Sequence, residues 1–162
     1  MTTASHDDGE TIHLRHLIPS AVSCHALVRL RNLLSPVELA RCDDLVSDSA
    51  RRHFMLGHIL ARVSVAACFD VEPGDVLLVQ TCSACGGSHG KPRARDFPID
   101  VSIAHTSDLV VVAVSRTARV AIDCESLRPR TQPRQVPPYL LPVGAEPATH
   151  ASPWPAGLSM NA

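Results

Sequence analysis

The segment DSARRHFMLGHILARVSVAACF, residues 48–69, carries the strongest pattern in this 162-residue sequence. Its apolar residues recur at three- and four-residue spacings, as expected of a helix with one face in a hydrophobic core. These residues are Phe54, Leu56, Ile59, Leu60, Val63 and Ala67. The pattern predicts a long amphipathic helix, whose polar side carries Arg51, Arg52, His58 and Arg62.

A second, shorter helix is predicted just before this segment, over about residues 35–45. Ser35 suits its N-cap, the proline that follows suits the first helical position, and Glu38 suits the capping-box position. Further upstream, residues 1–20 show no periodicity, so a frayed arm is expected there. Residues 1–33 are accordingly assigned to an N-terminal arm and first strand region.

Strands are predicted after the long helix. A turn at Pro73-Gly74 precedes a short apolar run at 76–79 that indicates a strand, and residues 82–92 form a glycine-rich loop. Three further β-rich segments follow, two of which are expected to form a hairpin, or a meander with the third. They cover residues 101–104, 109–115 and 120–124.

The composition fits one α/β domain, because 45% of the residues are hydrophobic and the chain is too short for two comfortable domains. A net charge of −1 and an aromatic content of 3% argue against nucleic-acid binding. No stretch reaches the roughly 18 apolar residues of a membrane span, and the N-terminus shows no export signal. We therefore expect no membrane association, a cytoplasmic location and reduced thiols at all six cysteines.

Two carboxylates in the last β-rich segment indicate a metal site. Residues i and i+2 of a strand point to the same face, so Asp123 and Glu125 are expected side by side. Such a pair suits Mg²⁺, which fills its remaining positions with water and phosphate oxygens. The residues thus indicate metal-assisted phosphate chemistry. The side chains that can contact the phosphates are Lys91, His105, Arg62, Arg51 and Arg52.

Four motifs resemble the surfactin-type 4′-phosphopantetheinyl transferases in their order and separation. They are Arg52-His53-Phe54 with Arg62, Gly90-Lys91-Pro92, Ile103-Ala104-His105-Thr106 and Ile122-Asp123-Cys124-Glu125. The resemblance spans about residues 34–130, which we assign to a partial phosphopantetheinyl-transferase-like domain. The Cys-x-x-Cys-Gly-Gly-x-His stretch before the second motif is similar to the actinobacterial branch of the family.

The resemblance implies an Mg-dependent transfer of 4′-phosphopantetheine from coenzyme A to a serine of an acyl or peptidyl carrier protein. It implies that Asp123 and Glu125 hold Mg²⁺ and that, with His105, they form the catalytic set. The implied fold is α/β (α+β), comprising the first half and the first strands of a second, pseudo-symmetric half. The residues implied to bind coenzyme A are Arg52, Arg62, Lys91, Pro92 and His105.

Several residues depart from the family pattern. Ala104 and Thr106 replace the serines that flank the motif histidine, Ala121 replaces a glycine, and Cys124 replaces a branched residue. A W-x-x-K-E-A motif, which carries a further metal ligand in the family, is absent from residues 131–162. This stretch is rich in proline and aperiodic, so we expect a disordered tail, as in a truncated or frame-shifted copy. Half of a pseudo-symmetric fold is expected to self-associate.

Other interpretations of these residues stay open. Cys82, Cys85 and His89 supply three zinc ligands where structural sites take four, so a zinc or redox role stands beside a loop that merely tolerates cysteines. Asp123 and Glu125 also suit an ordinary exposed strand face. The alternatives to an active transferase are a non-catalytic remnant that binds coenzyme A or a carrier protein, and a small zinc-binding protein.

Overall fold

The computed structural model describes residues 2–5, 11–82, 84–87 and 89–127, which form a mixed α/β unit on an antiparallel sheet. This architecture is compatible with the predicted α+β class. Its strands are β1 (Thr2–Ser5), β2 (Thr11–Leu17), β3 (Leu78–Val79), β4 (Arg93–Ala94), β5 (Asp100–His105) and β6 (Val110–Ser115). Its helices are α1 (Cys24–Leu30), α2 (Pro36–Asp43) and α3 (Asp48–Phe69), with 3₁₀ turns at Pro19–Ala21, Arg31–Leu33 and Pro73–Asp75.

The strands of the sheet follow the order β1-β2-β6-β5-β4-β3, and neighbouring strands are antiparallel. β5 and β6 form the predicted hairpin, in which Asp100 lies opposite Ser115. The expectation of a frayed arm over residues 1–20 is wrong for β2, which pairs along β6 in the middle of the sheet. His13 lies opposite Val114, so the partner of β2 is far away in the sequence and local periodicity gives no sign of it.

Helix α3 lies across one face of the sheet and has the bounds that the sequence predicts. The Ser47 side chain accepts a hydrogen bond from the N–H of Ala50, and Asp70 ends the helix with a φ of 56°. Helix and sheet approach closely at Gly57, where an added Cβ would lie 3.0 Å from Ile103 Cγ2. The core between them consists of Ala61, Val65, Ala66, Val76, Leu78, Ala94, Val101, Val112 and Val114.

The polar side predicted for α3 is wrong at two positions. His58 and Arg62 are 4% and 2% exposed, because Glu38 of α2 contacts both of them. Charged side chains are buried in this way only where an opposite charge and hydrogen bonds accompany them. α2 itself begins with the predicted capping box and ends at Asp43, slightly earlier than expected.

After α3, the strands of the structure differ from those that the sequence predicts. The third β-rich segment is not a strand, since residues 119–127 are irregular. The strand expected at 76–79 is shortened to β3 and pairs with β4, which no sequence pattern indicated. The tail predicted over residues 131–162 lies outside the described residues. No helix in the described part of the chain is long and apolar enough to cross a membrane.

Candidate functional site

Lys91 is the centre of a polar cluster, the Lys91 clasp, which it forms with Asp100 and Val120. Lys91 Nζ donates to Asp100 Oδ2 at 2.5 Å and to the carbonyl oxygen of Val120 at 2.7 Å. The same Asp100 oxygen accepts the N–H of Val120 at 2.6 Å. Burial acts to raise the pKa of Asp100, but the hydrogen bonds from Lys91 and Val120 and the charges of Lys91 and Arg119 hold it below its usual range. The clasp therefore joins an ionised carboxylate to an ammonium group.

A hydrogen bond between Ile122 and Ser102 determines the direction of the chain that follows the Lys91 clasp. The N–H of Ile122 donates to Ser102 Oγ at 3.1 Å. This contact and the one between Val120 and Asp100 both span 20 positions, so the segment runs parallel to β5. The same register leads residues 123–125 toward the C-terminal end of β5.

Asp123 and Glu125 are both exposed, whereas Cys124 between them is partly buried. Burial and the charges of the two carboxylates raise the pKa of the Cys124 thiol. Asp123 Oδ1 accepts the N–H of Cys124 at 2.9 Å, and none of the ion pairs found among the described residues involves either carboxylate. Two exposed carboxylates from alternate residues fit the protein ligands that Mg²⁺ usually takes beside water and phosphate oxygens.

His105, at the end of β5, lies against His53 of α3, with 5.2 Å between the ring centroids. His53 is buried, and its Nδ1 and Nε2 lie 2.6 and 3.1 Å from the carbonyl oxygens of Ser49 and Ser107. Burial, and next the electrostatic effect of the neighbouring His53 ring, lower the pKa of His105 below its usual value. His105 is therefore a neutral imidazole at neutral pH, with one nitrogen that donates and one that accepts.

A cleft of about 790 Å³ opens beside the first turns of α3, and two arginines of the helix line it. Arg52 Nε donates to the carbonyl oxygen of Pro19 at 2.9 Å, and its terminal nitrogen donates to the carbonyl oxygen of Val22. Arg51 forms an ion pair with Asp48 at 2.8 Å. Arg52 thus holds the segment before α1 against α3 as well as lining the cleft.

Arg62 has its contacts inside the fold. Its two terminal nitrogens donate to the two oxygens of Glu38 at 2.8 and 2.6 Å, and His58 Nδ1 lies 2.7 Å from Glu38 Oε1. Ser35 donates to the same carboxylate through its N–H and its hydroxyl group. Arg62 is 2% exposed, so in this structure its guanidinium contacts Glu38 and is shielded from solvent.

Glu38 is absent from the site residues that the sequence predicts, although its capping-box position was recognised. Burial acts to raise its pKa, but hydrogen bonds from His58, Arg62 and Ser35 lower it to about 2. The available signal was the position of Arg62, which follows Ile59 at helical spacing on the buried stripe of α3. An arginine on such a stripe requires a buried acidic partner.

The loop between β3 and β4 brings two cysteines and a histidine together. The ligand atoms of Cys82, Cys85 and His89 lie within 4.8 Å of one another, and Cys85 Sγ is 2.9 Å from His89 Nε2. Hydrogen bonds from the N–H groups of Ala84 and Cys85, and from the Cys85 side chain, lower the pKa of the Cys82 thiol. Within the described ranges, this is the one cluster of three or more metal-ligating side chains.

Comparison with known proteins supports a relationship to the phosphopantetheinyl transferases. The chain is 32% identical over 100 residues to the 4′-phosphopantetheinyl transferase HetI of Nostoc sp. (strain PCC 7120 / SAG 25.82 / UTEX 2576). The match covers 59% of this chain and 40% of HetI, so the chain spans about two fifths of the length of this relative. No family model matches the sequence. The similarity supports the superfamily, and the surfactin-type subgroup stays a prediction.

Proposed function

We propose that this chain carries the coenzyme-A-binding part of a 4′-phosphopantetheinyl transferase that modifies a serine of an acyl or peptidyl carrier protein. The proposal depends on one observation, the contacts that join the segments carrying three separate motifs. Lys91 contacts Val120, which precedes the Asp123 motif, and Ser102 of the His105 strand contacts Ile122. The partial similarity to HetI supports the same assignment.

In the proposed reaction, the hydroxyl oxygen of the carrier serine bonds to the β-phosphorus of coenzyme A while the bond from that phosphorus to the bridging oxygen breaks. Adenosine 3′,5′-bisphosphate leaves, and the serine proton is released to solvent. His105 donates a hydrogen bond to a phosphate oxygen through the protonated nitrogen of its neutral ring. Lys91 uses two N–H groups in the clasp and offers its third to a phosphate. Both residues therefore act by positioning the substrate and neutralising its charge, which are the main requirements of phosphoryl transfer.

Asp123 and Glu125 are the proposed ligands of Mg²⁺, which supplies charge neutralisation at the phosphates when it is bound. The contribution of the chain is to hold these two carboxylates exposed beside β5. The Lys91 clasp does this through the backbone of Val120, so Lys91 serves the metal ligands as well as the substrate.

The proposal is tested by incubating the purified chain with coenzyme A, Mg²⁺ and an apo carrier protein, followed by intact mass spectrometry of the carrier. The expected result is a mass gain of one phosphopantetheine group. Asp123→Ala should lower the rate at least roughly a hundredfold, because the phosphates lose their bound charge neutralisation. The matched control is Asp96→Ala, an exposed acidic residue between β4 and β5, which should change the rate by less than about twofold.

A second candidate function is binding of coenzyme A without transfer. It is favoured by the sequence of residues 131–162, which contains no W-x-x-K-E-A motif and therefore lacks the further metal ligand that the resemblance implies. Calorimetric titration with coenzyme A separates the candidates. Binding without any mass gain on the carrier supports the second candidate, and absence of both binding and mass gain contradicts both.

A further inference from the structure

The loop between β3 and β4 carries a group of side chains that the proposed transfer reaction does not use. Cys82, Cys85 and His89 converge there, and all three belong to the segment that immediately precedes Lys91. We propose that these three residues bind a zinc ion, with the fourth coordination position open to solvent. The geometry of the loop carries this proposal independently of the proposed function.

The donor set favours zinc over other common divalent ions. Mg²⁺ and Ca²⁺ prefer oxygen ligands, whereas zinc takes cysteine sulfur and histidine nitrogen in tetrahedral sites. Bonds of about 2.3 Å to sulfur and about 2.0 Å to nitrogen place neighbouring ligand atoms about 3.5–3.8 Å apart. The observed separations, 2.9 Å between Cys85 and His89 and at most 4.8 Å overall, lie on either side of this range. Small side-chain rotations therefore suffice to enclose the ion.

The backbone of the loop donates hydrogen bonds to both cysteine sulfurs. The N–H groups of Ala84 and Cys85 hydrogen-bond to the sulfur of Cys82, and the N–H of Gly87 donates to Cys85 Sγ at 3.4 Å. Hydrogen bonds to a negatively charged ligand stabilise its charge and fix its orientation. The turn is closed by backbone bonds in both directions, Gly86 N to Cys82 O at 2.9 Å and Cys82 N to Gly87 O at 2.7 Å. Both sulfurs are thus held on one tight turn.

Three glycines allow the side chains of Cys82, Cys85 and His89 to converge. Gly86 has a φ of 72°, which only glycine adopts without strain. A Cβ on Gly87 would lie 3.1 Å from the ring of His89. A Cβ on Gly90 would lie 2.4 Å from the carbonyl oxygen of Thr81, so this position brings the end of the loop back onto its beginning. Because the loop folds back at Gly90, His89 lies beside the turn that carries Cys82 and Cys85.

The proposed ion joins the two ends of the loop next to Lys91. Gly90 N also donates to the carbonyl oxygen of Gln80 at 3.1 Å, so the backbone and the metal hold the same junction. Cys85 and His89 are exposed, which leaves the fourth position to water. Zinc binding should therefore order the chain that enters the Lys91 clasp.

Metal analysis of the 162-residue chain tests the proposal. The chain is stripped with a chelator under reducing conditions and then titrated with Zn²⁺ alone against a chromophoric competitor. We expect one zinc per chain, and Co²⁺ in its place should give thiolate-to-cobalt charge-transfer absorption with tetrahedral d–d bands. A chain that takes up no zinc, or that returns from reducing conditions with Cys82 and Cys85 joined in a disulfide, overturns the proposal.

Substitutions identify the ligands. Cys85→Ser should weaken zinc binding at least roughly a hundredfold, since loss of a ligand exceeds the usual effect of losing a supporting contact. Cys24→Ser is the matched control, because Cys24 is an exposed cysteine outside the loop, and it should bind zinc like the wild type. His89→Cys keeps three ligands and should retain binding, which separates ligand loss from misfolding. Equal zinc affinity in Cys85→Ser and the wild type overturns the assignment.

A variant that leaves all three ligands in place tests the geometry of the loop. Gly90→Ala places a Cβ against the Thr81 backbone, so the loop has to shift and zinc affinity should fall by roughly tenfold or more. Gly74→Ala is the control, because its Cβ meets only a side-chain atom of Leu33 at 3.9 Å, and no change is expected. Unchanged zinc affinity in Gly90→Ala contradicts the proposed arrangement of the loop.

Discussion

Glu38 is the side chain on which the contact between α2 and α3 most depends. It is 6% exposed and shares hydrogen bonds with Arg62, His58 and Ser35. Glu38→Gln keeps the volume of the side chain but leaves the Arg62 charge unpaired in the interior, which is strongly unfavourable. The free energy of unfolding, measured by urea denaturation, should fall by about 3–5 kcal/mol.

The control for this variant is Asp43→Asn, which removes an exposed ion pair. Arg31 and Asp43 lie 3.1 Å apart, with side chains 42% and 59% exposed. Solvent screens such a pair, so its loss should change the free energy of unfolding by less than about 1 kcal/mol. Similar losses in both variants would show that burial of Glu38 does not determine its contribution.

The same carboxylate determines how stability depends on pH. The pKa of Glu38 is about 2 in the fold against an ordinary value of 4.5, so folding favours its ionised form. Its contribution is therefore complete above about pH 4.5 and is lost as the pH falls toward 2. Urea unfolding midpoints should decline over this interval in the wild type and decline less in Glu38→Gln. Parallel pH profiles for the two proteins contradict this assignment.

Helix capping could be predicted from the sequence because the interacting atoms belong to residues close together in the chain. The N-cap of α2 was predicted because the Ser35 hydroxyl accepts from the N–H of Glu38, three positions later. The partner of Arg62 was not predictable in this way, because Glu38 lies 24 positions earlier on another helix. Residue type and helical phase alone do not reveal such a partner.

At the scale of elements, the Lys91 clasp determines how firmly residues 120–125 are held on β5. Asp100→Asn replaces a carboxylate that accepts from both Lys91 and the N–H of Val120. Hydrogen bonds to charged groups contribute about 1.5–3 kcal/mol, so amide hydrogen exchange at Val120 should become at least about tenfold faster. Exchange within α3 should stay unchanged.

The matched control for the clasp is Asp96→Asn, which changes an exposed carboxylate in the turn before β5. Exchange at Val120 should then equal that of the wild type. If Asp100→Asn also leaves this exchange unchanged, the clasp does not hold the segment. The measurement uses amide exchange and is therefore independent of transfer activity.

The segment at 120–125 shows why an alternating pattern is not sufficient to predict a strand. Its alternation agrees with the exposure of Asp123 and Glu125 on either side of the partly buried Cys124. A strand also requires backbone partners, and the contacts of this segment with β5 use the side chains of Asp100 and Ser102 instead. The sequence shows the alternation, but it does not show whether a neighbouring strand offers backbone groups for pairing.

For the whole molecule, the sequence predicted the long helix, the β5–β6 hairpin and the mixed α/β class, all of which rest on contacts within short stretches of chain. It did not predict β2, whose pairing with β6 joins two distant parts of the chain. Sheet order is set by such distant pairings, and a single sequence gives little information about them. The contacts within the candidate site could not be predicted for the same reason, because its motifs come together only when the sheet is complete.

The face of the sheet that points away from α3 carries partly exposed apolar side chains. Leu14 of β2 lies opposite Ala113, so both point away from the face where Val112 and Val114 pack with α3. Leu14 is partly exposed, as is Val111 of β6, which lies on the same face as Ala113.

Apolar side chains on this second face favour contact with another copy of the chain. Light scattering should therefore give a mass above that of one chain at micromolar concentrations. Leu14→Lys should shift the mass toward a monomer, because a charge in such a contact is left unpaired. Val37→Lys, at a residue of α2 that is 67% exposed, should leave the mass unchanged. A monomeric wild type across the concentration range would show that this face does not mediate association.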